Sequence, residues 1–174
     1  SKQLNEEILF QRSILYAERG DLELHFDKVT ASALLRSAYE LYHRHDLAKG
    51  KQLILHELNE EINIETDPLI MKRCLGNLVK NALEASQPGD KVELRAEQEE
   101  KSVLFHVMSE PVIPQNIQLS LFKRSFSTKG GIGRGLGTYS IKLFIEQYLK
   151  GEVRFVSRPE EGTRFSIRLP LQIQ

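Results

Sequence analysis

Apolar residues at Leu4, Ile8, Leu15 and Ala17, with Ile14 beside them, recur at near-helical spacing and predict a helix over Lys2–Arg19 closed by Gly20. Leu22, Leu24 and Phe26 then alternate with Glu23, His25 and Asp27, the pattern of a strand from Leu22 to Val29. Thr30 is placed to cap a second helix running from Ala31 to His45, with Leu34, Leu35, Ala38, Leu41 and Tyr42 on one face. Gly50 ends that unit, and strands are expected over Leu53–Leu58 and near Ile62–Ile64. Asp67 followed by Pro68 is the clearest helix start in the chain, an N-cap side chain before a residue whose missing N–H costs nothing at the first helical position. That helix is expected to reach Ser86, and Pro88-Gly89-Asp90 turns the chain. Lys91–Glu99 and Ser102–Met108 read as a hairpin. From Ser109 to Gly137 periodicity fails, apart from a short helix candidate over Gln115–Phe122. Leu136–Leu149 is helical again, and Gly151–Ser157 with Thr163–Leu169 form a closing strand pair.

Strand pairs joined by tight turns and separated by helices predict an α+β fold, a two-layer α/β sandwich with a mixed sheet and its helices on one face, preceded by an N-terminal helix. This order differs from the steady alternation of a doubly wound dinucleotide fold. The length of 174 residues suits one domain with an appended element. Basic and acidic side chains number 24 each, so the balance argues against a general nucleic-acid surface. A single cysteine, Cys74, excludes an internal disulfide framework and a multi-cysteine zinc site. No apolar run approaches the roughly 20 residues of a membrane helix, and the composition reads as cytoplasmic.

Two constellations carry chemistry. Five of the eleven glycines lie in Lys129-Gly-Gly-Ile-Gly-Arg-Gly-Leu-Gly137, directly before a predicted helix. Glycine permits close backbone approach to a ligand, and free N–H groups at a helix start favour an anion such as phosphate. Lys129 and Arg134 add positive charge there. A flexible surface loop would share this composition, and a Walker or dinucleotide motif does not fit: no strand immediately precedes the cluster and no Gly-Lys-Ser/Thr triplet follows. The second constellation is Asn77, Asn81 and Glu84 in Gly76-Asn-Leu-Val-Lys-Asn-Ala-Leu-Glu-Ala85, where spacings of four and three share one helix face. Leu75, Leu78, Val79, Ala82 and Leu83 face the sheet instead. Asparagine is a mediocre helix former, and a carboxamide oxygen suits a hard cation such as Mg²⁺ beside phosphates without adding charge. Two solvated asparagines are the plainer alternative.

Together these motifs resemble the ATP-binding catalytic domain of bacterial sensor histidine kinases, within the gyrase, chaperone, histidine-kinase and mismatch-repair ATPase superfamily and its Bergerat fold. Asn77–Ala85 looks like the family's N box, Phe122-Lys-Arg-Ser-Phe-Ser-Thr-Lys129 like its F box and lid segment, and Gly133-Arg-Gly-Leu-Gly137 like its second glycine box. The resemblance covers residues 22–170. It implies ATP and Mg²⁺ as cofactors, with Asn81 as main metal ligand and Asn77 assisting the metal or the phosphates. Thr128 and Lys129 would lie over the terminal phosphates and Gly133, Gly135 and Gly137 would cradle them, with Glu84, Ser109, Gly130, Gly131, Arg134 and Leu136 completing the ATP-binding set. In hydrolysing relatives a glutamate four residues before the metal-binding asparagine activates water. Here that position is Asn77, which points to transfer to a protein acceptor.

The chain departs from the family at the first glycine box, Asp-x-Gly-x-Gly, whose aspartate accepts the adenine amino group. The matching stretch, Val107-Met-Ser-Glu-Pro-Val-Ile-Pro114, has neither that aspartate nor those glycines. Ser109 is the nearest replacement, and Glu110 offers a carboxylate only if the loop is re-registered. Loss of a charged hydrogen bond costs about 1.5–3 kcal/mol, or roughly ten- to a hundredfold in affinity.

The family's phosphoacceptor histidine sits on a dimerising helical hairpin, and Lys2–Arg19, which resembles the end of that hairpin, contains no histidine. His56-Glu57-Leu58 mimics the acceptor pattern but falls in a predicted strand. The resemblance therefore divides the chain into residues 1–20, the C-terminal part of a dimerisation-hairpin helix, and residues 21–174, the ATP-binding domain. Its implied partners are ATP, the dimerisation and acceptor-histidine domain of a longer parent kinase, a response regulator and a second copy of the chain. The parent could be membrane-anchored. Two other readings stay open: a degenerate, nucleotide-free module for dimerisation or response-regulator docking, and a serine kinase on the same fold.

Overall fold

The computed structural model describes residues 2–124 and 137–173. Helix α1 (Lys2–Glu18) is followed by β1 (Asp27–Thr30), α2 (Ala31–Tyr42), β2 (Gln52–Leu55), β3 (Asn63–Thr66), α3 (Pro68–Ala85), β4 (Lys91–Glu99), β5 (Ser102–Ser109), α4 (Gln115–Gln118), α5 (Gly137–Lys142), β6 (Glu152–Arg158) and β7 (Gly162–Pro170). Helix α5 continues in π-helical turns over Leu143–Tyr148, where the Leu149 N–H reaches back five residues to the Phe144 carbonyl at 3.0 Å.

The main sheet has five strands in the order β2-β4-β5-β7-β6, with β2 parallel to β4 and every other pair antiparallel. Alternation sends Val92, Leu94, Val103, Phe105, Val107, Ile167 and Leu169 to one face. There they meet the buried stripe of α3, Met71, Cys74, Leu75, Leu78, Val79 and Leu83, and that of α2, Leu34, Leu35 and Ala38. The expected two-layer sandwich with a mixed sheet is what the chain forms. Burial pushes the Cys74 thiol up, so this cysteine is a core residue and no nucleophile.

The strongest start signal is realised in detail. The Asp67 carboxylate accepts from the Leu69 and Ile70 N–H groups, each at 3.1 Å, and Pro68 occupies the first turn of α3. Thr30 caps α2 in the same way, accepting from Ala33 N–H at 3.1 Å. At the other end of α3, Lys51 Nζ donates to the Leu83 carbonyl at 2.6 Å, satisfying a terminal acceptor.

Several expectations are corrected. The strand foreseen over Leu22–Val29 forms only from Asp27, because its antiparallel partner β3 ends at Thr66, opposite Asp27, where Asp67 opens α3. The His25 N–H instead donates to Asp67 Oδ2 at 2.9 Å. Strand β2 stops at Leu55 rather than Leu58. The chain must leave the main sheet to reach β3, which pairs with β1 in a separate two-stranded sheet that periodicity did not foretell. That strand runs over Asn63–Thr66, displaced from the expected Ile62–Ile64. Helix α2 ends at Tyr42, since His45 leaves the helix to cap the next turn, its Nδ1 accepting from Leu47 N–H at 3.0 Å. Helix α4 spans four residues instead of reaching Phe122, because successive tight turns from Ser120 to Lys123 bring Leu121 and Phe122 inward.

In α1 the face that packs inward is Ile14 and Ala17, at 1% and 2% exposure, while Leu4, Ile8 and Leu15 of the expected apolar stripe are exposed. Phe10 meets the Phe144 ring edge-on at 6.3 Å between centroids, and Tyr148 donates its hydroxyl to the Ala17 carbonyl at 2.6 Å. The last turns of α1 thus enter the same core as the rest of the chain.

Candidate functional site

Helix α3 presents Asn77, Asn81 and Glu84 half-buried along one side, four and three residues apart, while its apolar stripe faces the sheet. Gly76, one residue before Asn77, lies where α2 crosses: a methyl group there would come within 3.2 Å of Leu41 Cδ1. The absence of a side chain there leaves room for the Leu41 and Tyr42 side chains of α2.

Gly137, the first residue of α5, sits against this face. A methyl group on it would lie 3.7 Å from Asn81 Nδ2. The last glycine of the cluster and the central asparagine of α3 are therefore neighbours, although 56 positions separate them in sequence. Thr128, Lys129, Gly130, Gly131, Gly133, Arg134, Gly135 and Leu136 lie outside the described residues.

Ser109 ends β5, in register with Val92 on one side and Thr163 on the other. The loop leaving it is stitched down by two hydroxyl residues that sequence reasoning did not single out. Thr163 Oγ1 donates to the Pro111 carbonyl at 2.7 Å, Ser157 Oγ lies 2.8 Å from Thr163 Oγ1, and the Ile113 N–H donates to Ser157 Oγ at 2.8 Å. Their signal was available: Ser157, Thr163 and Ser109 fall opposite one another across β6, β7 and β5. Gly162, before Thr163, has φ +76°, and a methyl group there would come within 2.3 Å of the Ser109 carbonyl. Only glycine combines that backbone conformation with so close an approach.

The Glu110 carboxylate accepts from the Lys91 N–H at 2.6 Å, so it is committed to the start of β4. At this end of the sheet the last residue of β5 is therefore the neutral Ser109. Next to it, Phe122, Phe155 and Phe165 form an aromatic cluster with centroids 5.5–6.5 Å apart. Lys142 Nζ lies 5.2 Å from the centre of the Phe122 ring.

A depression opens at this same end of the sheet, with Ser109, Gly162 and Thr163 in its lining. Lys91, Glu93, Met108, Glu110, Arg158 and Arg164 line an open basin of mixed charge, most of them on the sheet face away from α3. That face also holds His56 against Glu93 at 2.8 Å and His106 between Glu97 at 2.9 Å and Ser166 at 2.7 Å. His56, the residue whose local sequence mimics a phosphoacceptor, is thus held at the edge of the sheet.

The mixed-sheet α+β sandwich with the polar α3 face against Gly137 has its counterparts among known proteins. The model of the histidine kinase-, DNA gyrase B-, and HSP90-like ATPases matches residues 66–173. The chain belongs to this family. It is 32% identical over 168 residues to the sensor histidine kinase GtrS of Pseudomonas aeruginosa, covering 94% of this chain and 33% of that protein. Among solved structures, the nucleotide-free catalytic domain of the histidine kinase ThkA superposes with a TM-score of 0.77 at 26% identity, covering 86% of this chain and 100% of that one. ThkA in complex with the response regulator protein TrrA matches 97% of this chain and 49% of the ThkA chain, with a TM-score of 0.74 at 25% identity. The chain spans about a third of the length of the curated relatives it matches, 33% and 27% for two of them. No helix among the described residues is long and apolar enough to cross a membrane.

Proposed function

We propose that this chain is the Mg-ATP-binding catalytic domain of a two-component sensor histidine kinase and donates the γ-phosphate to a histidine outside residues 1–174. The observation that carries the reading is the placement of Asn81 beside Gly137, which joins the carboxamide face of α3 to the end of the glycine cluster. The donor set fits the group: Asn81 and Asn77 offer neutral oxygens to a hard cation, and the glycines leave room for phosphate oxygens. Bound Mg²⁺ would neutralise charge on the phosphates during transfer.

Glu84, Ser109, Thr128, Lys129, Gly130, Gly131, Gly133, Arg134, Gly135, Leu136 and Gly137 would complete the nucleotide contacts. Asn77 cannot act as a general base, which leaves water unactivated and favours a protein nucleophile. Residues 1–20 would be the end of the dimerisation-hairpin helix and residues 21–174 the ATP-binding domain. The partners of this reading are the acceptor-histidine domain, a second copy of the parent and a response regulator, the last supported by the ThkA–TrrA likeness. The domain would work on the cytoplasmic side, whether or not the parent is anchored in a membrane.

One observation favours a second reading, a nucleotide-free docking module: the loop after β5 lacks the family's aspartate and ties its own Glu110 to Lys91. Calorimetric titration with a non-hydrolysable ATP analogue, with and without Mg²⁺, separates the two. Mg-dependent binding at micromolar to sub-millimolar Kd, lost in Asn81→Ala, is the expected outcome. No heat at several millimolar nucleotide would overturn the kinase reading in favour of the module.

A further inference from the structure

Helix α1 ends on a contact that joins distant parts of the chain. The Glu18 carboxylate accepts from Arg124 Nε at 2.8 Å and Nη2 at 3.2 Å, and from the Tyr139 hydroxyl at 2.7 Å. The Arg124 guanidinium also lies 5.9 Å from the centre of the Tyr139 ring. Arg124 comes just before residues 125–136 and Tyr139 just after them, so one side chain of α1 holds both flanks of the span that carries Thr128, Lys129 and four of the five clustered glycines.

Two more ties close the same base: the Thr138 hydroxyl donates to the Leu121 carbonyl, and Lys142 lies over the Phe122 ring. The other end of the linkage is fixed as well, because Ile14 and Ala17 are buried, Arg73 Nη1 donates to Ser13 Oγ at 2.7 Å, and Phe10 packs on Phe144.

An exposed ion pair contributes little unless its geometry is bidentate or it belongs to a network, and this one is both. The Glu18 side chain is 25% exposed. The hydrogen bonds from Arg124 and then Tyr139 hold its carboxyl below the usual range, so it is ionised at neutral pH. Replacing the carboxylate by a carboxamide would keep its shape and remove the charge that gathers the two donors.

We infer that Glu18 is a positioning residue for the phosphate end of the nucleotide site. It fixes the base of the glycine-rich span to α1, so that the placement of α1 sets nucleotide affinity. This rests on the proposed ATP site but goes beyond it. It makes the helix that leads into the domain part of the binding equilibrium, and by linkage nucleotide binding then biases the placement of α1 to the same extent.

The test compares the intact chain with Glu18→Gln, the charge-swapped pair Glu18→Arg with Arg124→Glu, and Glu23→Gln as a control on an exposed neighbour. Two readouts are taken: Kd for a Mg-bound ATP analogue, and amide exchange without nucleotide at Leu121–Arg124 and Thr138–Lys142. In Glu18→Gln, Kd is expected to rise about fivefold or more. Exchange should quicken at those two flanks and nowhere else, with the swapped pair recovering most of both effects and the control neither.

Unchanged Kd and unchanged flank exchange in Glu18→Gln would overturn the inference. Faster exchange throughout the chain with a lowered Tm would also overturn it, by showing a general structural role. If the unaltered chain takes no nucleotide, the proposed function fails separately. Flank exchange then decides whether Glu18 still organises the base of the span: quickened at both flanks upholds it, unchanged overturns it.

Discussion

Asp67 shows how much one side chain can settle. One carboxylate oxygen caps α3 through Leu69 and Ile70, and the other receives the His25 N–H from the segment before β1. It is buried, and its removal leaves three backbone donors without this partner, the Ile70 N–H buried and those of Leu69 and His25 part-buried. Asp67→Ala is expected to cost about 2–3 kcal/mol, a cap plus one unsatisfied buried donor. For a chain of this size that lowers Tm by about 4–12 °C in calorimetry. Asp67→Asn keeps one carbonyl oxygen and should lie between. Equal loss in both variants would mean that charge, and not the divided hydrogen bonding, is what matters there. Half of this was legible in sequence: Asp-Pro announced the cap, but nothing local could announce His25, 42 positions away.

At the scale of elements, patterns were legible wherever an element's neighbours in space are also its neighbours in sequence. The β4–β5 hairpin and the β6–β7 pair emerge nearly as expected for that reason. The candidate site follows the same rule. The polar face of α3 is visible in Asn77, Asn81 and Glu84, whereas the ties of Ser157 and Thr163 to the loop at Pro111 and Ile113 and the gathering of Arg124 and Tyr139 by Glu18 join residues 44–121 positions apart. Alternation alone misread Leu22–Val29, because a strand also needs a partner and β3 is only four residues long. In helix α1 the apolar spacing leaves the packed residues open: Ile8 belongs to the stripe but is 45% exposed, whereas Ile14 beside it is 1% exposed. Ile14→Ala should therefore cost about 2–5 kcal/mol in urea unfolding, as a large-to-small core change does. Ile8→Ala should stay within about 0.5 kcal/mol for the monomer. If both were silent, the last turns of α1 would not be packed on the domain in solution. If Ile8→Ala alone weakened the chain, and did so in a concentration-dependent way, the exposed stripe would be packed on a second copy.

Taken whole, the molecule is one hydrophobic cluster running from Ile14 in α1 through α2, α3 and the main sheet to Leu169 in β7, and its parts are cross-tied at the edges. The small sheet is bound to the end of the chain after β7 by Glu65 N–H to the Leu171 carbonyl at 3.0 Å and by Ile173 N–H to Glu65 Oε1 at 3.3 Å. Helix α1 is bound to the rest of the chain through Tyr148, Arg73 and the Glu18 contact. A chain with one core has no obvious line along which to come apart, so unfolding should be a single cooperative event even at 174 residues, slightly beyond the size where two-state behaviour is usual. The chain has five tyrosines and no tryptophan, and Tyr16 and Tyr148 lie on and beside α1. Tyrosine fluorescence therefore reports on that docking, while far-UV circular dichroism reports on all the helices. The two urea transitions are expected to coincide, and Mg-ATP at about a hundred times its Kd should stabilise the folded chain by about 2.7 kcal/mol, displacing both together. On the proposed reading, Asn81→Ala should abolish the displacement and keep the single transition, since it would remove a ligand contact from a half-buried surface and leave the core intact. A fluorescence transition that ran ahead of the dichroism would show α1 melting off the domain first. If nucleotide then moved only the later transition, binding would be uncoupled from α1, and the linkage assigned to Glu18 would be absent at the level of the whole molecule.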